Sequence, residues 1–326
     1  MRDEPKTRKL GQSSLKVLVS LGGNAILQRG QKGTAEQQAL NVEKTASHLV
    51  RLLRRGEKLA ITHGNGPQVG NILLQNEIAK DTLPPMPLDV CGAESQGMIG
   101  YLLQRAFRGE LDAGGPNVPV TTLISQTLVD ANDPAFKKPT KPVGPFYNAS
   151  EAADLERLKG WRMISDSGRG YRRVVPSPIP LDIMEKETII RLYESGTVVI
   201  SAGGGGVPVI KEKDGRLRGV EAVLDKDRTA ALLGRILGVE ALLILTDVEK
   251  VFINYGKDDQ RALDHISVQD CRKYLAEGQF PSGSMGPKIE SAISFLSESK
   301  GRTVQIAPLE KAEEALEGTA GTRITT

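Results

Sequence analysis

Cysteine is almost absent from the 326 residues: Cys91 and Cys271 stand alone, far apart and without metal-ligand spacing. This excludes a disulfide-stapled scaffold and a cysteine zinc site, and it predicts two reduced thiols in a cytoplasmic protein. An excess of either charge is also lacking, since 43 lysines and arginines face 40 aspartates and glutamates for a net +3. A chain so balanced is not built chiefly to hold a nucleic-acid backbone, so basic residues are read where they cluster. No apolar run reaches the ~18 residues of a membrane span. Met1 to Ser14 carries charge without the apolar centre of a secretory signal, so residues 1–15 are expected to form a flexible extension with no membrane role. Familiar nucleotide motifs are missing as well. There is no G-x-x-x-x-G-K-S/T loop, no G-x-G-x-x-G with its acidic partner and no protein-kinase signature set.

What is present is glycine, concentrated at three points: Gly22-Gly23-Asn24 after an apolar run, Gly203 to Gly206, and Gly283 to Lys288 opening a helix. Glycine lets backbone amides approach an anion closely, and a following helix N-terminus adds partial positive charge. One such loop signifies only a tight turn. Three, with lysines and an aspartate spaced between them, suggest phosphate handling and a kinase. The second strand ends in His63-Gly64-Asn65-Gly66-Pro67, with Pro67 suited to a first helical position, so two neighbouring strand ends offer a shared anion cradle.

The surrounding pattern is βαβα: Val17 to Leu21, Glu36 to Arg54, Leu59 to Thr62, then a helix from Pro67 towards Ala79. It predicts a parallel sheet with helices on both faces. A helix over Glu94 to Phe107 and a strand over Val118 to Ile124 follow. From Asp130 to about Pro180, seven prolines interrupt any long regular element, while Lys137, Lys138, Lys141, Arg169, Arg172 and Arg173 make the segment cationic. It reads either as a surface linker or as a lid over an anionic substrate. Beyond it come a strand over Thr197 to Ala202, a hairpin turn at Asp214-Gly215, a helix over Asp227 to Leu237, and a buried strand over Ala241 to Thr246 with Asp247 at its carboxyl end. Helices over Ser267 to Glu277, Pro287 to Ser297 and Leu309 to Glu317, and a strand over Thr303 to Ile306, complete the chain. We expect two lobes sharing one sheet, residues 16–196 and 197–326, with a protruding lid at about 131–175.

Two readings stay open for Asp225-Lys226-Asp227. Either aspartate suits a helix cap, and an aspartate between Lys226 and Lys288 would hold two ammonium groups against a transferring phosphoryl. His63 is read as a structural hydrogen-bonder, because loose phosphoryl-transfer transition states need little base catalysis.

Taken together, Val19 to Ala25, Thr62 to Asn71, Val174 to Pro178, Val223 to Asp227 and Gly283 to Lys288 resemble carbamate kinases, a branch of the amino-acid-kinase superfamily, over nearly all of Lys16 to Thr326. The resemblance implies an open αβα sandwich, a homodimer, and phosphoryl transfer between carbamoyl phosphate and ADP giving ATP and carbamate. Mg²⁺ would travel with the nucleotide, arginine catabolism would be the setting, and no resident metal is implied. Gly22, Gly23, Asn24, Gly64 and Asn65 would bind carbamate and the transferring group. Lys226 and Lys288 would stabilise it, Asp227 would organise them, and Lys141 would reach in from the protruding subdomain. Gly203, Gly204, Gly205, Gly206, Asp247, Tyr255 and Met285 would surround the nucleotide. Ser20 stands where acetylglutamate-kinase-like members carry a lysine, and the Lys141 insertion would supply the missing cation. Ala202 stands where cysteine is common in the branch. The alternatives are a different small-molecule phosphotransferase on this fold and a non-catalytic nucleotide or metabolite sensor.

Overall fold

The computed structural model describes residues 14–28, 30–165, 170–281, 283–297 and 301–326. Most of the proposed N-terminal extension and Arg169 of the cationic segment lie outside the described residues. Eight strands form the central sheet: β1 (Lys16–Leu21), β2 (Lys58–His63), β3 (Val120–Thr122), β4 (Val198–Ile200), β5 (Ala241–Thr246), β6 (His265–Ser267), β7 (Thr303–Pro308) and β8 (Thr322–Thr325). Their spatial order is β6-β8-β7-β5-β1-β2-β4-β3, and only the β7–β8 pairing is antiparallel. The helices in chain order are α1 (Ala35–Arg54), α2 (Gly66–Ala79), α3 (Leu88–Asp112), α4 (Ala149–Lys159), α5 (Lys186–Glu194), α6 (Lys226–Ile236), α7 (Val268–Ala276), α8 (Met285–Leu296) and α9 (Ala312–Glu317).

Strand residues alternate between two cores, as the period of a pleated strand requires. Val17, Val19 and Leu21 of β1 pack with Leu59, Ile61, Leu243 and Leu245 beneath α1, α3 and α9. Leu18, with Ala60, Leu242 and Ile244, faces the opposite layer, which α6 and α8 cover through Ala230, Leu233, Ile289 and Phe295. Burial on both faces explains the near-continuous apolar runs. It also fixes the direction of Ser20: two residues beyond Leu18, it points at α6.

The proline-rich segment is built as a flap. Lys141–Tyr147, Tyr171–Val175 and Arg162–Ser165 form a three-stranded antiparallel sheet, with α4 alongside. Lys141–Tyr147 is the outer strand of that sheet, so Pro142 and Pro145 fit without breaking a ladder on both sides, and a register shift between Val143 and Tyr147 absorbs the rest. The flap packs on the body through Val143 and Val175 against Val69, Leu88 and Cys91. Ion pairs Lys159–Glu77 and Arg173–Glu221 reinforce it, and Trp161 lies between the cations of Lys159 and Arg173 at 4.8 and 4.5 Å from the ring centroid. Among the described residues no helix is long and apolar enough to cross a membrane.

Candidate active site

Parallel strands deliver their carboxyl ends to one edge of the sheet, and helices that follow them start there with unpaired amides and positive dipole ends. Here α2 follows β2 in this way, and α6 and α8, reached by other connections, begin at the same cleft of about 490 Å³. Gly22, Gly23, Asn24, Gly64, Asn65, Lys141, Gly204, Lys226, Asp227, Asp247, Met285 and Lys288 all line it. Among the described residues, the N–H groups of Gly23 and Asn24 find no protein acceptor. The two loops touch: Gly64 N–H donates to Leu21 O at 3.0 Å, and a Cβ on Gly64 would lie 3.4 Å from Gly23 N. Gly22 owes its identity to a close approach, because a Cβ there would meet Leu245 O at 2.9 Å.

Asp227 is the hub. Its carboxylate, 3% exposed, accepts from Lys226 Nζ at 2.6 Å, Ser20 Oγ at 2.9 Å and Lys288 Nζ at 3.0 Å. Lys226 Nζ also donates to Ser20 Oγ at 3.1 Å. Burial opposes charge on Asp227, but Lys226 and Lys288 outweigh it and hold the carboxyl well below the usual carboxylate range. On Lys226 burial prevails over Asp227 and lowers the ammonium pKa, whereas on Lys288 burial is overcome by Asp227 and the pKa rises. Two ammonium groups on one carboxylate leave the cluster with one positive charge in excess, beside three helix N-termini. It is ready for an oxyanion.

The choice left open in the sequence resolves cleanly: Asp225 is the helix cap and Asp227 is the organiser. Asp225 Oδ1 accepts from the amides of Asp227 and Arg228 at 3.0 and 3.4 Å, and its Oδ2 accepts from Lys141 Nζ at 3.0 Å. Burial works against its charge, and Lys141 carries its pKa below the ordinary value. Sequence reasoning missed both this pairing and the Ser20–Asp227 bond. The second had a signal in the alternation along β1; the first had none.

His63 lies outside the lining. It is buried, its Nδ1 sits 3.0 Å from Gly64 O, and burial pushes its pKa down to about 4. Because a carbonyl only accepts, Nδ1 carries the proton of a neutral ring. Of the four-glycine run only Gly204 reaches the cleft. A Cβ would strike the His63 ring at 2.4 Å from Gly203, Asn65 at 2.2 Å from Gly204, Leu224 at 2.6 Å from Gly205 and Thr127 at 2.1 Å from Gly206. Neighbouring side chains fill the space beside all four glycines, so packing accounts for each of them, and Gly204 also borders the cleft. Ala202 enters the run with φ +53, a strained value for a side-chain-bearing residue. Tyr255 is also outside the lining, 70% exposed, with its ring edge-on to Phe252. Among the described residues no cluster of three metal-ligating side chains occurs.

The amino acid kinase family model matches residues 16–308. A carbamate kinase of Pyrococcus furiosus is 51% identical over 311 residues, 95% of this chain and 98% of that protein. One of Trichomonas vaginalis is 45% identical over 312 residues, 95% and 99% of the two chains. The solved structure of carbamate kinase from Giardia lamblia bound to AMP-PNP matches with a TM-score of 0.90 at 44% identity, covering 96% of this chain and 99% of that one. A doubly covered, mainly parallel sheet with a lysine-rich cleft at its carboxyl edge is the architecture of a small-molecule phosphotransferase, and the chain belongs to the amino acid kinase family. Within that family it falls in the carbamate kinase branch.

Proposed function

We infer that this chain is a carbamate kinase, an enzyme that moves a phosphoryl group between carbamoyl phosphate and ADP to give ATP and carbamate. The observation that carries the reading is the buried Lys226–Asp227–Lys288 cluster facing the free amides of Gly23 and Asn24 across one cleft. In the ATP-forming direction a β-phosphate oxygen of ADP attacks phosphorus, the bond from phosphorus to the carbamate oxygen breaks, and carbamate leaves with the electron pair. Negative charge spreads over the equatorial oxygens, so catalysis is positioning and charge stabilisation. Lys226 and Lys288 meet those oxygens, and Asp227 and Ser20 keep the two ammonium groups aimed. Gly22, Gly23, Asn24, Gly64 and Asn65 cradle carbamate and the migrating group, with Lys141 closing from the flap. No base is required, which agrees with a neutral, buried His63.

In this reading the nucleotide takes the part of the cleft lined by Asp247 and by Met285 at the start of α8, while Gly204, packed against Asn65, borders the carbamate cradle. Tyr255 would contribute only at the rim. Both oxygens of Asp225 and of Asp227 are occupied, so among the described residues Asp247 is the cleft carboxylate without an ammonium partner. That donor set suits Mg²⁺ carried by nucleotide phosphates, an ion that keeps its waters and needs one or two carboxylates at most. The cation, when bound, neutralises charge between the phosphates. We assign the enzyme to the cytoplasm, to arginine catabolism and to a homodimer. The dimer draws support from exposed Tyr101 and Ile124 beside the sheet-edge strand β3.

Coupled ATP formation from carbamoyl phosphate and ADP tests the assignment. Silence with both substrates and Mg²⁺ present would overturn it.

A further inference from the structure

The carboxylate of Asp225 serves two elements at once. One oxygen caps α6 by accepting from Asp227 and Arg228 amides, and the other accepts from Lys141 Nζ at 3.0 Å, a residue 84 positions away on the flap. Capping alone would not call for aspartate here, since asparagine or serine caps as well. Moreover Asp227 two residues on opposes a second negative charge at this turn. The charged second oxygen also acts at longer range on Lys226 and Lys288, but Lys141 is the ammonium group it contacts directly.

Lys141 needs that help. It begins the outer strand of the flap sheet, opposite Val175, and among the described residues Asp225 is its hydrogen-bond and ion-pair partner. The lysine side chain is 35% exposed and the aspartate 13%, so the pair sits at the mouth of the cleft with the carboxylate on the dry side. A four-carbon stem without a partner samples many rotamers, and a cation so spread offers little to a transition state.

We propose that Asp225 is a positioning residue for Lys141, drawing the flap ammonium onto the same first turn of α6 that carries Lys226 and Asp227. Three ammonium groups then face one point when the flap is down. Because the cap uses the other oxygen, Lys141 can lean towards an arriving phosphoryl group without loosening the helix start. The proposal rests on the carbamate kinase reading and deepens it.

The test is steady-state kinetics of the full chain with carbamoyl phosphate and ADP. An inactive parent would sink the functional reading itself, whatever Asp225 does. With an active parent, Asp225→Asn retains the cap and removes the charge. The expected result is a fall in kcat/KM for carbamoyl phosphate of about 10- to 100-fold, the scale of a misplaced catalytic group, with the KM for ADP held within about twofold. Added to Lys141→Met, Asp225→Asn should cause no further loss. Parent-like kinetics in Asp225→Asn, or losses that multiply in the double variant, would overturn the proposal. Asp225→Ser gives the same comparison if the asparagine variant does not fold. Failure of both to fold beside a folded Lys141→Met would also overturn it, since the carboxylate would then serve the fold.

Discussion

Asp227→Asn is the sharpest perturbation of the cluster, because the two side chains have nearly the same shape and differ in charge. The native carboxylate is 3% exposed and accepts from two ammonium groups at 2.6 and 3.0 Å. At ~3 Å and an effective dielectric of ~20, each attraction is roughly 5 kcal/mol before desolvation is counted. Removing one partner of such a buried group strands the others, and the net loss is about 3 to 5 kcal/mol. The unfolding entropy of 326 residues is roughly 0.7 kcal/mol/K near 60 °C, so Tm should fall by about 4 to 7 °C. The amide also turns an N–H towards ammonium or rotates away, so the lysines lose their aim and kcat should drop by about 10²- to 10³-fold. Thermal unfolding and coupled ATP formation on the same preparation read both numbers. A second variant isolates the cause: Lys226→Met, Asp227→Leu and Lys288→Met together remove every charge and should regain much of the Tm without regaining turnover. An Asp227→Asn enzyme with parental Tm and parental kcat would refute the reasoning.

Lys226→Ala or Lys288→Ala should each lose roughly 3 kcal/mol of transition-state stabilisation, seen as a kcat loss of about 100-fold with smaller changes in substrate binding. Near-normal rates in both would exclude charge stabilisation by this pair. The folded-state pKa of Asp227 lies below its ordinary value, so its contribution to stability is present above about pH 4 and is lost as pH falls through the folded value. The Tm gap between parent and Asp227→Asn should therefore narrow on acidification below pH 4, and a constant gap would argue against the ion cluster. His63 has its folded pKa lowered to about 4, so stability is full above its ordinary value of 6.5 and declines as pH falls from there through 4. Its imidazole proton resonances should stay flat from pH 8 to about 5.5, and a titration near 6.5 would contradict the burial. Gly206→Ala places a Cβ 2.1 Å from Thr127 Oγ1 at φ +86, and should destabilise the fold by about 1 to 3 kcal/mol in denaturant titration.

The buried strands were readable because both faces of a parallel sheet are covered. Val17 to Leu21 and Ala241 to Thr246 are unbroken apolar or small residues, and they appear as β1 and β5 with little change. The turn at Asp214-Gly215 also stands, with Gly215 at φ +88 joining Val207–Lys211 to Leu217–Gly219. The start of α3 was not readable, since Pro87 caps it without a side-chain hydrogen bond and the turn after Leu88 has no strong signal. Proline counting suggested an irregular segment where an outer strand exists, because tolerance for proline depends on which neighbour the strand lacks. In the cleft, residue types identified the lysines and Asp227, but which aspartate caps α6 depends on where the helix begins. Ser20 and Asp227 are 207 residues apart, and only the order of strands brings them together. The glycine run was ambiguous for a related reason: a glycine needed by a ligand and one needed by a neighbouring side chain are written with the same letter.

That crowded glycine run bears on how the molecule can move. His63, Asn65 and Thr127, from before the flap in the chain, and Leu224, from after it, press into the spaces left by Gly203 to Gly206. Such interlocking acts as a rivet through the middle of the body, and walls joined this way cannot slide past one another without breaking dense contacts. The proline-bearing flap is held differently: its grip on the body is a small apolar patch and a few ion pairs near the surface. A substitution that weakens that patch would leave the riveted frame untouched.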